Sequence, residues 1–288
     1  MRPLGSFFQE PPPELVFELS ETGITVAKTR DPAQMSFHPL APGVISASPL
    51  RDNVLLPDAL AEAVRGAAPI NGNRKRRRAA VILPDYCARL SVLDFDHFPE
   101  KPEEQLALVR FRIKKTVPFD VDSATISYRP QSTRDVVVAA TPLEIIARYE
   151  APFRAAQIHP GFMTVSSLAC LDLVAPQGIQ VIGKINGHVL TVMVMQNEIL
   201  KLIRSLELTD FTVEEIAADL YPTFVYIEDN LNARADRILL SGFGGLQEDA
   251  RRQFQSELGV DVGILQSPFA PVTERDAGLL GYLQAVKS

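Results

Sequence analysis

The sequence predicts a duplicated, two-lobed α/β fold with a small αβ subdomain inserted into the first lobe. One order of parts (hairpin, third strand, helix, strand) occurs twice along the 288 residues. Different material, read as helix, two strands and helix, separates the two copies. The composition, 46% hydrophobic and 22% charged with no tryptophan, is that of a folded chain with an aliphatic core, long enough for two lobes.

The first copy opens with two short apolar runs, 15–19 and 24–29, around a Ser20-Glu21-Thr22-Gly23 turn, and reads as a hairpin. A third strand is expected near 44–47, a helix over about 58–65 and a buried strand over 79–83. The insert is expected over about 94–161. Its first helix places Leu106, Val109, Phe111 and Ile113 on a largely apolar face and stops at Pro118, because the residue before a proline is pushed out of the α region. "ATISYRPQ" and "RDVVVAATP" read as strands, and "LEIIARYEAPFRAAQI" as a second helix.

The second copy begins with "GIQVIGKINGHVLTVMVM", where Asn186-Gly187 between apolar runs predicts a type I′ turn with both central residues at positive φ. Met193 and Met195 alternate with valines and read as core. A strand over 199–205, a helix over 213–231, a strand over 237–240, a helix over 247–258, a strand over 260–264 and a terminal helix over 274–285 complete the pattern. The division is a flexible segment over 1–14, lobe I over 15–177 and lobe II over 178–288.

A net charge of −6 argues against a general nucleic-acid binder. No apolar run approaches the roughly 20 residues that span a bilayer. Residues 1–13 lack the apolar region and cleavage site of a signal peptide, so a cytoplasmic location is expected. Cys87 and Cys170 are isolated and read as buried thiols. The histidines His38, His97, His159 and His188 lack metal-ligand spacing, and neither a Gly-Lys-Ser/Thr loop nor a Gly-x-Ser-x-Gly elbow occurs. Five consecutive cations, Arg74 to Arg78, read either as a solvated loop guarding a buried strand or as a contact with an anionic membrane surface.

Three longer segments, "VRFRIKKTVPFDVDSATISYRP", "VVVAATPLEIIARYEAPFRAAQIHPGFMTVSSLACL" and "ILLSGFGGLQEDARRQFQSELGVDVGIL", resemble in order and spacing the PilM family of type IV pilus assembly proteins, relatives of the cell-division protein FtsA. The resemblance implies a duplicated actin-like (ribonuclease H-like) fold. It further implies a cytoplasmic adaptor, peripheral to the inner membrane, in a type IV pilus or related secretion platform. The inserted subdomain would help form a groove for the cytoplasmic tail of a PilN-like bitopic membrane protein, with Phe111, Val117, Phe119 and Ile126 as the groove residues here.

Some members of that family hold ATP between the lobes, and the resemblance places the corresponding cleft at Glu18, Ser20, Thr22, Gly23, Lys184, Asn186, Gly187, Gly242, Gly244 and Gly245. The first family motif, approximately Asp-Ile-Gly-Ser-Ser, is replaced by Glu18-Leu19-Ser20-Glu21-Thr22, which loses a glycine and puts a negative charge where phosphate would sit. The second, approximately Asp-Ile-Gly, becomes Lys184-Ile185-Asn186, a cation in place of a magnesium-orienting carboxylate. The expectation is a degenerate site, a pseudo-ATPase with no catalytic residue, metal or cofactor. A functional ATP-binding protein or ATPase of the same fold is the alternative. Glu18 and Lys184 are expected to pair across the cleft and hold it shut.

Overall fold

A computed structural model describes residues 11–69 and 77–287. The chain runs through β1 (Leu15–Leu19), β2 (Gly23–Lys28), β3 (Asp31–Pro39), α1 (Pro57–Ala67) and β4 (Arg77–Leu83). It continues through β5 (Arg89–Asp94), α2 (Pro102–Ile113), β6 (Ala124–Pro130) and β7 (Asp135–Pro142), then α3 (Leu143–Ala155), β8 (Ile158–Val165) and α4 (Ser166–Cys170). The first large sheet has the order β3-β2-β1-β4-β8, an antiparallel meander extended by two parallel strands. Both of its faces are covered, which is why its strands read as continuous apolar runs. Phe17 and Leu19 point to α1 and α3, meeting Leu60, Val64, Tyr149 and Phe153, while Val16 points the other way with Ala80 and Ile82. The rings of Phe17 and Phe153 meet edge-on, 5.1 Å between centroids.

Four expectations change here. The third strand is 31–39, and residues 44–47 instead form a largely buried loop that carries an isolated bridge, Ile45 to Val54. Helix α3, expected in the insert, packs Ile145, Tyr149 and Phe153 into the core of lobe I, so the small sheet β5-β7-β6 occupies 89–142. On α2, Val109 and Ile113 are buried one turn apart, but Phe111, about 200° round the helix from Val109, is 72% exposed. Of the basic run, Arg74 to Arg76 lie outside the described residues. Arg77 and Arg78 are not in a loop but open β4, where pairing with Ile158 and His159 extends the strand; Arg77 donates to Ala68 O at 2.7 Å.

Lobe II comprises β9 (Ile179–Asn186), β10 (Val189–Gln196), β11 (Ile199–Glu207), α5 (Val213–Leu231), β12 (Arg237–Ser241), α6 (Gln247–Leu258), β13 (Asp261–Ile264) and α7 (Ala277–Lys287). Its sheet, β11-β10-β9-β12-β13, repeats the first topology. Helix α5 starts where Thr212 Oγ1 accepts from Glu215 N and the Glu215 carboxylate reaches back to Thr209 N and Asp210 N, a capping box in slightly extended form. Gly259, at φ 64°, ends α6. Helices α5 and α6 cover one face of the sheet. The opposite face, with Met193, Leu200 and Ile203, meets Leu90, Val92 and Val137 of the insert. Helix α7 then crosses to lobe I and lays Leu279 and Leu283 against Val16, Ala80 and Ile82. Among the described residues no helix is long and apolar enough to cross a membrane.

Candidate functional site

The two hairpins point their turns at a common cleft. In the first turn Ser20 N donates to Gly23 O at 2.9 Å, and the Ser20 hydroxyl lies 3.1 Å from Gly23 N. Gly23 has an ordinary φ. A Cβ there would stand 2.4 Å from the Phe37 ring, so β3 packing requires the glycine. The second turn is Gly187-His188 rather than Asn186-Gly187: Asn186 pairs with Val189, and of the two central residues only Gly187 has positive φ, at 60°. Glycine at the first central position marks a type II′ turn.

Between the turns lies a cleft of about 440 Å³, bounded by Ser20, Glu21 and Thr22, by Ile185 and Gly187, by Phe211, by Gly242, Phe243 and Leu246 after β12, and by Glu274 before α7. Ser20, Thr22, Gly187 and Gly242 of the expected residues therefore border it. Glu18, Gly23, Lys184, Asn186, Gly244 and Gly245 are not part of its lining. Gly242 has φ 77°, and a Cβ on it would lie 2.1 Å from Ile185 O, so close contact between two strand ends already demands this glycine.

Glu18 and Lys184 hold equivalent places in the two sheets: Glu18 lies beside Thr25 and Ile82, Lys184 beside Thr191 and Ser241. Both are 1% exposed. The expected ion pair between them is not formed, because each has nearer partners. Glu18 Oε1 accepts from Ser166 Oγ, and Oε2 accepts from Leu279 N in the first turn of α7 at 2.7 Å. Burial raises its pKa, and Lys184, Ser166 and Leu279 offset only part of that. Lys184 Nζ donates instead to Asp85 Oδ2 at 2.7 Å. Asp85 sits on the short helical turn after β4, and its Oδ1 accepts from Ser167 N at 2.5 Å. Burial alone would lower the Lys184 pKa; Asp85, Cys170 and Glu18 outweigh it, and the net shift is upward. Sequence reasoning missed Asp85. The available signal was a lysine flanked by Ile182, Gly183 and Ile185 in a central strand, which must find an acid once buried.

Glu21 bridges the two turns. Its Oε1 accepts from Ala47 N at 2.8 Å, and its Oε2 lies 3.3 Å from His188 Nδ1. His188 Nε2 is 3.6 Å from Glu207. Three buried polar atoms nearby in sequence or register, Ser167 Oγ, Asn186 Nδ2 and Ser241 Oγ, have no hydrogen-bond partner among the described residues. Burial pushes both thiols up, Cys170 to about 12, so neither is poised as a nucleophile. At the insert, Val117, Phe119 and Ile126 are half-buried against the cluster of Val109, Ile113, Val121 and Val138, and Phe111 stands apart on the outer side of α2.

Two sheets of identical topology facing one cleft, with α7 crossing from the second lobe to the first, make a duplicated, two-lobed actin-like fold. No protein-family model and no curated protein sequence matches the chain. Among solved structures, a chain of the PilM–PilN type IV pilus biogenesis complex aligns over 97% of this chain and 100% of its own length, with a TM-score of 0.77 at 16% identity. A Bacteroides thetaiotaomicron protein of actin-like ATPase fold and unknown function aligns over 93% of this chain and 94% of its own, with a TM-score of 0.59 at 13% identity. The chain is PilM-like in fold.

Proposed function

We propose that this protein is a non-catalytic adaptor on the cytoplasmic side of an inner-membrane assembly platform for type IV pili or a related secretion system, where it binds the cytoplasmic tail of a PilN-like single-pass protein. The fold shared with the pilus complex supports the setting. The observation that carries the non-catalytic part is the fate of the two hairpin positions. Both Glu18 oxygens accept internal hydrogen bonds, and the Lys184 ammonium is held by Asp85. A magnesium–nucleotide complex needs free carboxylate oxygens for the metal and N–H groups or cations for the phosphates. Here the first turn offers the Glu21 carboxylate to the phosphate side, and the residues present do not fit that complex.

The partner surface is the insert. Strand β6 ends the order β5-β7-β6, and Ile126 on it, with Val117, Phe119 and the exposed Phe111, supplies an apolar margin for an extended peptide in a groove or by strand addition. The basic run at 74–78 is the proposed contact with anionic lipid, read as vesicle binding that falls with salt. The rival reading is a nucleotide-binding protein of the same fold, favoured by a cleft whose volume lies in the range of about 300–1,000 Å³ typical of ligand sites.

Two titrations test the reading. ATP with and without Mg²⁺ should leave the melting temperature unchanged, whereas a ligand at 100 times its Kd would add about 2.7 kcal/mol. A PilN-like tail peptide should bind the parent more tightly than Phe111→Ser or Ile126→Asp, and equal binding by all three would remove the insert from the interface. Point substitutions are needed because deleting 94–161 would take Tyr149 and Phe153 out of the lobe I core.

A further inference from the structure

We infer that the outer face of α2 is a docking surface for an anionic lipid bilayer, with Phe111 entering the headgroup region and Lys114 and Lys115 meeting the phosphates. This rests on the membrane-side adaptor reading and adds what that face of the insert meets. Residues 105–119 carry four cations, Arg110, Arg112, Lys114 and Lys115, and no acid, in a chain whose net charge is −6. Helical turns continue past α2: Lys114 N donates to Arg110 O at 3.1 Å and Val117 N to Ile113 O at 3.0 Å. Lys114 and Lys115 therefore stand three and four residues beyond Phe111 on one surface, opposite the buried Val109 and Ile113.

The positive charge on this face is uncompensated. Among the described residues, exposed Lys114 and Lys115 meet no acid, and Arg112 lies over the Phe95 ring, 5.0 Å from its centroid. The acids closest in sequence or packing are engaged: Asp122 pairs with Arg110 at 3.2 Å, Asp94 pairs with Arg134 at 3.1 Å, and Asp120 accepts from Asp122 N. Phe111, 72% exposed, is the most exposed large apolar side chain among the described residues. A ring that projects from a helix with lysines one turn away fits a bilayer interface, where the ring leaves water and the ammonium groups stay with the phosphates. Lysines present point charges on flexible stems, suited to a fluid anionic surface rather than to one fixed carboxylate. Val117, Phe119 and Ile126, packed back against the core of the insert, stay on the adjoining margin for a tail that itself emerges from the bilayer.

The chain has no tryptophan, so Phe111→Trp introduces a fluorescent reporter free of background from other indoles. Vesicles of phosphatidylcholine with phosphatidylglycerol should shift its emission to the blue, and vesicles of phosphatidylcholine alone should not. Tyr221→Trp, at a 62% exposed position on α5, is the control and should stay unshifted. In co-sedimentation, Lys114→Gln combined with Lys115→Gln should weaken binding to the anionic vesicles about 25-fold, about fivefold per cation, and the loss should shrink as salt rises. Phe111→Ser should weaken it about tenfold at low and high salt alike. The lysine changes should leave binding of the PilN-like tail peptide as it is, whereas Ile126→Asp should weaken the peptide and spare the vesicles. Absence of vesicle binding, vesicle binding without a shift in Phe111→Trp, indifference to the lysine changes, or a shift produced by polyglutamate and not by vesicles overturns the inference. Tail-peptide binding in any of those cases leaves the adaptor reading intact, and failure of the parent to bind the tail peptide overturns that reading by itself.

Discussion

Replacing Asp85 by asparagine isolates the most deeply buried ion pair between the lobes among the described residues. The substitution keeps an oxygen to accept from Ser167 N but leaves the Lys184 ammonium, 2% of its side chain exposed, facing a neutral amide. Breaking one side of a buried pair costs about 3–5 kcal/mol, and with both side chains this deeply buried no discount for solvent screening applies. At roughly 2 °C per kcal/mol for a chain of this size, the melting temperature should fall by about 6–10 °C. Adding Lys184→Met removes the stranded charge, so the double variant should recover most of the loss and come within about 1 kcal/mol of the parent. Urea denaturation of the four proteins of the cycle, followed by circular dichroism, measures the coupling. A loss below about 1 kcal/mol in Asp85→Asn, or a double variant as unstable as the sum of the singles, would refute the account of the pair.

The other predictions concern residues around the same cleft. Glu18 has a raised pKa, so the folded state holds its proton more tightly; that contribution is complete below pH 4.5, its unfolded value, and is lost as pH rises through the folded value. Glu18→Gln should therefore gain on the parent between pH 4 and pH 7 in urea denaturation, and a constant difference between the two pH values would contradict this. Gly242→Ala puts a methyl group 2.1 Å from Ile185 O at positive φ and should cost roughly 3 kcal/mol or more in the same assay. Cys87 and Cys170, both buried with raised pKa values, should react with a thiol reagent only at the rate of unfolding, while a fast-reacting thiol in the native protein would show that one of them is reached by solvent.

The elements read correctly from sequence are those whose local signals agree. Helix α5 has its Thr212 cap and apolar period, α6 has Gly259 at its end, and each central hairpin has two apolar arms. Strand β3 was illegible because it is an edge strand, Asp-Pro at its start and with only one of its nine residues buried, whereas the apolar 44–47 stretch is largely buried as a loop. The place of α3 was misjudged for a different reason. Adjacency in sequence put it with the insert, and only the burial of Tyr149 and Phe153 beside Phe17 returns it to lobe I. The cleft was legible as residue types and not as partners. Lys184 was visible as a misplaced charge, but its acid lies 99 residues away, and a lone Asp85 after a strand carries no local mark. Glu21 was seen as an obstacle to phosphate, and its reach to His188 depended on which two residues make the second turn.

Gln131 of the insert donates its amide to Leu200 O at 2.9 Å and accepts from Leu200 N at 2.8 Å. Leu200 lies on β11, the outermost strand of its sheet, so one side-chain amide imitates the peptide group that a further strand would bring. With Lys201 held by Asp135 next to it, this stretch of the margin is closed to recruitment by another chain. Sheet growth is blocked along this stretch of β11 by a side chain from the other lobe's insertion.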